Sequence, residues 1–160
     1  MRKGTSALAI TAVAAALVTV SGTGTAQAAS TECNRTGLSF NLPGNPDMHG
    51  YAELCVSRIN STTLNSKVQV QLEGIHISGG KRFDSFKIIY HLERNGSTVK
   101  SRTKPWDIPN GGRVHTTSAG FNTSSSFKGG WTTDGIISYN INNDGKGAMT
   151  KELKGTPSIR

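Results

Sequence analysis

The four histidines are the first residues to consider for chemistry, because imidazole changes its charge near neutral pH and is a common metal ligand. They lie far apart in the sequence, at His49, His76, His91 and His115. None belongs to a His-Glu-x-x-His metal motif, and no serine stands in a Gly-x-Ser-x-Gly nucleophile motif. We therefore predict no metal site, no catalytic residue and no cofactor.

The carboxylates are scattered as widely as the histidines. The chain has ten, at Glu32, Asp47, Glu53, Glu73, Asp84, Glu93, Asp107, Asp134, Asp144 and Glu152. A glycosidase needs two carboxylates about 5 to 9 Å apart, and sequence spacing does not give that separation. The sequence favours a protein that is not an enzyme, and a small hydrolase using these carboxylates stays open as a lesser alternative.

One segment resembles a calcium-binding loop. Asn140, Asn142, Asp144 and Gly145 occupy the first, third, fifth and sixth positions of the EF-hand pattern. The twelfth position holds Lys151, where that pattern needs a bidentate glutamate. We therefore predict a glycine-rich turn between two strands, with weak calcium binding as the alternative.

Two tryptophans, Trp106 and Trp131, lie in predicted loops. An exposed indole could stack on a sugar or anchor a partner protein, and we list both residues as candidate partner-binding residues. The alternative is structural, because tryptophan often covers an open end of a β-sheet core.

The two cysteines, Cys33 and Cys55, allow one disulfide connectivity. An even number of cysteines in an exported chain is usually paired. A bridge over about 22 residues would stabilise the fold by roughly 3 kcal/mol in the chain-entropy model. We predict that it pins the N-terminal segment to the rest of the domain.

Residues 1–28 have the organisation of a cleavable signal peptide. Arg2 and Lys3 form the charged start, Ala7 to Val20 form the apolar run, and Ala26-Gln27-Ala28 forms the small-residue cleavage site. The apolar run is shorter than the roughly 20 residues of a transmembrane helix. We predict a secreted, extracellular protein without a membrane span.

The chain is basic, with a formal net charge of +8 that includes the signal peptide. The basic residues fall into separate groups diluted by neutral residues, such as Lys81-Arg82, Lys100 to Lys104 and Lys151 to Lys154. A nucleic-acid-binding protein usually concentrates its positive charge on one face. We therefore expect a secreted protein as partner, with a glycan as the alternative, and no nucleic acid.

Alternating apolar residues predict strands along the whole mature chain, most clearly at Val68, Val70 and Leu72. Asn95-Gly96 is the typical sequence of a type I′ hairpin turn, and that turn would pair Leu92 with Val99. Seven or eight short strands without a helical period predict an all-β fold. We expect an antiparallel β-sandwich, with a small β-barrel as the alternative.

The domain organisation follows from these patterns: a signal peptide over 1–28, a polar N-terminal arm over 29–50 and a single β domain over 51–160. Within the arm, Leu38, Phe40 and Leu42 alternate like a short strand. Such a strand could add to the open edge of another protein's sheet, so these three residues are candidate partner-binding residues.

The Ala26-Gln27-Ala28-Ala29-Ser30 junction resembles the export signals of small secreted proteins from filamentous actinobacteria. The order of signal, polar arm and basic β-sandwich is similar to that of the small adaptor subunit of umbrella toxin particles. That resemblance implies strand donation by the arm to a lectin partner. We expect a secreted, non-enzymatic binding or adaptor protein, and the resemblance implies that it is a subunit of an extracellular toxin or lectin-type complex. An inhibitor of an extracellular protease or glycosidase is the alternative.

Overall fold

The computed structural model describes residues 30–44, 47–74, 82–109 and 111–160. The predicted signal peptide over 1–28 lies outside the described residues, and so does His76. Cleavage and export therefore stay predictions.

The described residues form eight β-strands. These are β1 (Ser30–Phe40), β2 (Met48–Arg58), β3 (Thr63–Glu73), β4 (Phe83–Arg94), β5 (Ser97–Pro105), β6 (Val114–Ser124), β7 (Trp131–Ile141) and β8 (Ala148–Leu153). They build two four-stranded sheets, with the orders β1-β2-β3-β6 and β5-β4-β7-β8. All neighbouring strands are antiparallel. The predicted antiparallel sandwich is confirmed, and the barrel alternative is wrong because the described strands stay in two open sheets.

Alternation of side chains gives the two sheets a shared apolar core. In β3, Val68, Val70 and Leu72 are fully buried, while the residues between them face outward. Ile88 and Leu92 of β4 are equally inaccessible and belong to the same cluster. Each such side chain stabilises the fold by roughly 1.5 to 3 kcal/mol through loss of contact with water.

The predicted N-terminal arm takes the form of an edge strand. β1 pairs with β2 from Ser30 to Phe40, and this register places Cys33 directly opposite Cys55. The two cysteines form the predicted disulfide, with their Cα atoms 4.1 Å apart. The bridge therefore pins the N-terminal segment as expected, and it does so between two hydrogen-bonded strands.

The hairpin between β4 and β5 turns at the predicted residues. Asn95 and Gly96 have φ angles of 51° and 77°, as a type I′ turn requires. The predicted pairing of Leu92 with Val99 is wrong, because a β-bulge at Val99 shifts the register so that Leu92 pairs with Lys100. Such a bulge inserts one unpaired residue and changes which face the following side chains occupy.

The two ends of the sandwich differ in composition. At one end, aromatic rings pack edge to face, as for Phe40 and Tyr139 with centroids 4.9 Å apart. At the other end, turn 59–62 contacts loop 125–130, where the Ser125 amide donates to the Thr62 carbonyl over 2.7 Å. Trp131 begins β7 at this second end and forms an isolated bridge with Ile159.

Candidate partner-binding surface

The three apolar residues of the predicted arm lie in this protein's own core. Leu38, Phe40 and Leu42 are each at most 3% exposed. Their side chains are not at the surface while β1 is paired with β2. Their role in partner binding stays a prediction, and it requires β1 to leave its sheet.

The two tryptophans lie at opposite ends of the sandwich. Trp131 is 2% exposed and covers the core, while Trp106 is half-buried against Phe86, with ring centroids 5.5 Å apart. Trp131 pairs with Arg94 of β4, and Trp106 packs on Phe86 of the same strand. Arg94 and Phe86 are eight residues apart along β4, which corresponds to about 26 Å. The two indoles therefore do not form a common platform, and a partner-binding role of either one stays a prediction.

The register does bring three polar residues together that the sequence did not connect. His91 of β4 has Ser101 of β5 on one side and Asp134 of β7 on the other. His91 Nδ1 and Asp134 Oδ1 are both buried without a hydrogen-bond partner. A catalytic triad needs a hydrogen-bonded chain from carboxylate through imidazole to hydroxyl, and this row does not form one.

The electrostatics of this row are nevertheless unusual. Burial raises the pKa of Asp134 above its ordinary value, the nearby Glu93 carboxylate raises it further, and the His91 imidazole opposes both effects. Over the described ranges, no cluster of three or more histidine, cysteine or acidic residues could hold a metal ion.

The segment that resembles a calcium loop forms the turn between β7 and β8. Asn143 and Gly145 have positive φ angles of 60° and 70°. One carboxylate oxygen of Asp144 accepts a hydrogen bond from the Lys146 amide over 2.8 Å. The predicted glycine-rich turn is confirmed, and its carboxylate is used to hold the turn.

Exposed apolar side chains concentrate at the end of the sandwich that contains Trp131. In the described ranges, the large apolar residues with most exposure are Ile59, Val99, Val114 and Phe127, at 50% to 58%. Ile59 and Phe127 belong to the two loops in contact at this end, and Val99 follows the adjacent hairpin turn. Val114 begins β6 at the other end.

Val99 and Phe127 line an open cleft of about 460 Å³. The cleft lies between the β4–β5 hairpin and the loop that precedes β7, and Arg94, Asn95 and Trp131 also contribute to it. None of the described residues that line this cleft is acidic. We call this region, with Arg94, Val99 and Phe127 at its surface, the Phe127 cleft.

Internal hydrogen bonds hold the loop that carries Phe127. The Phe127 carbonyl accepts from the guanidinium of Arg58 and from Nε1 of Trp131, the latter over 3.0 Å. The Arg94 guanidinium lies over the Phe127 ring, 4.0 Å from its centroid. The aromatic side chain is therefore exposed on a backbone that is fixed from the inside.

Arg58 is the main support of this loop, although it is a charged residue with only 1% exposure. Besides Phe127, its guanidinium donates to the carbonyls of Ser61 and Lys128 over 3.3 and 3.4 Å. These carbonyls replace water around the two terminal nitrogens, whereas Arg58 Nε is buried without a hydrogen-bond partner. Arg58 shares the inner face of β2 with Leu54 and Val56, but its bonds to a distant loop have no signal in the sequence.

Comparison with known proteins does not assign a family: no family model, no curated protein and no solved structure matches the chain. Within the part of the chain that the structure describes, no helix has the length and apolarity needed to cross a bilayer.

Proposed function

We propose that this protein is a secreted, non-enzymatic adaptor that binds another extracellular protein through the Phe127 cleft. The proposal includes membership of a toxin or lectin-type complex as the setting of that contact. The observation that carries it is an aromatic side chain, 58% exposed, that stands beside an apolar cleft on an internally anchored loop.

The anchoring favours binding because it lowers the entropic cost of association. Immobilising a mobile side chain or loop at an interface reduces affinity. Here the Phe127 carbonyl is already held by Arg58 and Trp131, and the ring is covered on one face by Arg94. Aromatic residues in such preorganised positions dominate the energetics of many interfaces.

The charge around the cleft indicates the kind of partner. Arg94 lines it, and Lys128 follows Phe127 as an exposed residue of the same loop. A second copy of this chain would bring the same cations together, which opposes association of two identical surfaces. The cleft is suited to a protein that presents an apolar side chain surrounded by carboxylates.

The inhibitor alternative meets a geometric difficulty at this loop. A substrate-like protease inhibitor presents a backbone carbonyl to the enzyme's oxyanion hole. The Phe127 carbonyl points inward, where Arg58 and Trp131 donate to it. An inhibitor that blocks its enzyme without a substrate-like peptide bond remains the second candidate.

The test is to replace Phe127 and compare it with an apolar residue of similar exposure elsewhere. We expect Phe127→Ala to weaken binding of the partner isolated from the producing organism's medium by about thirtyfold or more, as for an interface hot spot. Val114→Ala, at 52% exposure on the other end, is the matched control and should leave affinity unchanged.

Isolation of a partner is the first step, and titration of the purified pair by calorimetry is the measurement. Equal affinity of the wild type and Phe127→Ala would contradict the proposal. Loss of activity of an extracellular protease or glycosidase on titration with the wild type would support the inhibitor alternative instead.

A further inference from the structure

The edge strand β5 carries positive charge on the side that faces the other sheet. Its register with β4 places three basic residues opposite buried residues of the core, so that they share the inner face of β5. These are Lys100, Arg102 and Lys104. Most inner faces of the sandwich are apolar, so this arrangement is an exception that needs an explanation.

The three basic residues lie along the border between β5 and β6. The Lys100 ammonium donates to the Asn122 carbonyl over 2.9 Å and lies 5.1 Å from the centroid of the Phe121 ring. The Arg102 guanidinium is 6.0 Å from the same centroid, and Arg102 is exposed. The salt bridge formed among the described residues, Arg35 to Glu53, is on the other sheet.

The backbone of β5 is also open on this side. β5 has β4 as its ladder partner, and no described strand pairs with its other edge. At the opposite border of the sandwich, the Lys154 amide donates to the Thr36 hydroxyl over 2.7 Å and the Asn34 side chain donates to the Gly155 carbonyl over 2.9 Å. An unpaired edge offers alternating N–H and C=O groups to another strand.

We propose that the edge of β5 binds an acidic, extended segment of a partner protein by strand addition. Alternate residues of a strand lie about 6.7 Å apart, and Lys100, Arg102 and Lys104 are alternate residues. A strand that adds to this edge has the same period, so acidic residues at every second position would face the three basic residues in turn. The backbone hydrogen bonds would give affinity, and the charges would select the sequence.

This site adjoins the Phe127 cleft at Ser97 and Val99 but uses different groups of the protein. The cleft would take an apolar side chain, whereas the β5 edge would take backbone and carboxylates. A protein with both sites could hold two segments of one partner or two partners. The experiment below therefore includes Phe127→Ala as a variant that should leave strand addition unchanged.

The test uses two synthetic peptides of equal composition and charge. The first alternates glutamate and threonine over ten residues, and the second has five glutamates followed by five threonines. We expect the alternating peptide to bind about tenfold tighter in fluorescence anisotropy, because three matched cross-strand pairs contribute to its affinity. An oligothymidylate of ten nucleotides is the probe for a general polyanion.

Two charge-reversal variants locate the site. Arg102→Glu should remove the preference for the alternating peptide. Lys67→Glu makes the same charge change on an exposed residue of β3, on the outer face of the other sheet, and should retain the preference. Circular dichroism and thermal unfolding of each variant confirm that it is folded before its affinity is interpreted.

Each outcome decides the proposal. A preference that Arg102→Glu abolishes, and that Lys67→Glu and Phe127→Ala retain, supports strand addition at β5. Equal binding of the two peptides and the oligothymidylate would show a general attraction for polyanions and overturn the proposal. No binding of the alternating peptide would overturn it as well, and would leave the Phe127 cleft to be judged by its own experiment.

Discussion

A buried guanidinium is uncommon because transfer of a charge from water is costly unless hydrogen bonds replace the lost hydration. In this protein the two terminal nitrogens of Arg58 meet that requirement with the carbonyls of Ser61, Phe127 and Lys128, while its Nε is buried without a partner. The same bonds connect the β2–β3 turn to the loop that presents Phe127. One side chain thus links the stability of the core to the shape of the candidate binding surface.

Replacement of Arg58 should therefore be costly. We expect Arg58→Ala to lower the free energy of unfolding by about 3 kcal/mol, because it removes the hydrogen bonds from a charged donor to three carbonyls and leaves a cavity where the buried side chain packs. Arg35→Ala is the matched control, since Arg35 pairs with Glu53 at the surface with 58% of its side chain exposed. Such a surface pair contributes roughly 0 to 1 kcal/mol. Urea unfolding of both variants is the measurement, and equal losses would contradict the structural role of Arg58.

The raised pKa of Asp134 makes the free energy of unfolding depend on pH. A carboxyl group with a raised pKa in the folded state binds its proton more tightly there than in the unfolded chain. Its contribution to stability is present below the unfolded pKa of about 3.9 and is lost as the pH rises through the folded value. Burial of Asp134 and the Glu93 charge cause this loss of stability at higher pH, and the His91 imidazole reduces it.

Asp134→Asn should remove the loss of stability that ionisation of Asp134 causes, because an amide stays neutral. We expect the variant to be more stable than the wild type at pH 7, and the difference to shrink as the pH falls toward about 3.5. Urea unfolding at a series of pH values measures it. A difference that is the same at every pH would rule out ionisation of Asp134 as its cause.

At the scale of the strands, β1 is held on β2 by the disulfide as well as by the pairing of the strands themselves. Cys33 and Cys55 are 22 residues apart in sequence and join β1 to β2. Besides the bridge, β1 pairs with β2 along its full length and buries Leu38 and Phe40 in the core. The bridge therefore adds stability to a strand that already packs.

The double variant Cys33→Ala, Cys55→Ala should fold and lose about 3 kcal/mol of stability in the chain-entropy model. Near-ultraviolet circular dichroism would report the native core, and urea unfolding would give the loss. An unfolded variant would mean that the bridge is required for β1 to pair, and unchanged stability would contradict the entropic contribution.

Local sequence was sufficient to predict several of these elements. The Asn95-Gly96 turn depends on two residues that accept positive φ, and the alternation in β3 depends on residues two apart. The bulge at Val99 was not predicted, because it shows only in the pairing of β5 with β4 and not in the type of any single residue. Regular pairing from the turn onward was the natural expectation, and it assigned the wrong face to every residue after the bulge.

At the scale of the whole molecule, the fold class was predictable and the candidate site was not. Strand number and alternation were enough for a sandwich. The exposure of Phe127 depends on Arg58 and Trp131, which contact its loop from other strands. A phenylalanine in a Ser- and Gly-rich loop was the one local signal, and sequence alone does not show whether such a ring packs inward.

The two proposed binding sites occupy neighbouring parts of the molecular surface. Hydrogen bonds join the two sheets at both borders: Lys154 to Thr36 and Asn34 to Gly155 at the β1–β8 border, and Lys100 to Asn122 at the β5–β6 border, which also carries Arg102 and Lys104. The Phe127 cleft adjoins the start of β5, where Ser97 and Val99 line it. Both proposed binding sites therefore lie on the β5 side of the sandwich.

The bulge at Val99 has a consequence for the evolution of β5. Loss of one codon at the bulge would remove the unpaired residue and keep Lys100 opposite Leu92. Loss of the codon for Ser101 would instead turn Arg102 and Lys104 to the outer face, because side chains alternate along a strand. Two deletions of equal length, only two codons apart, would thus have opposite effects on the charge pattern that a lineage inherits.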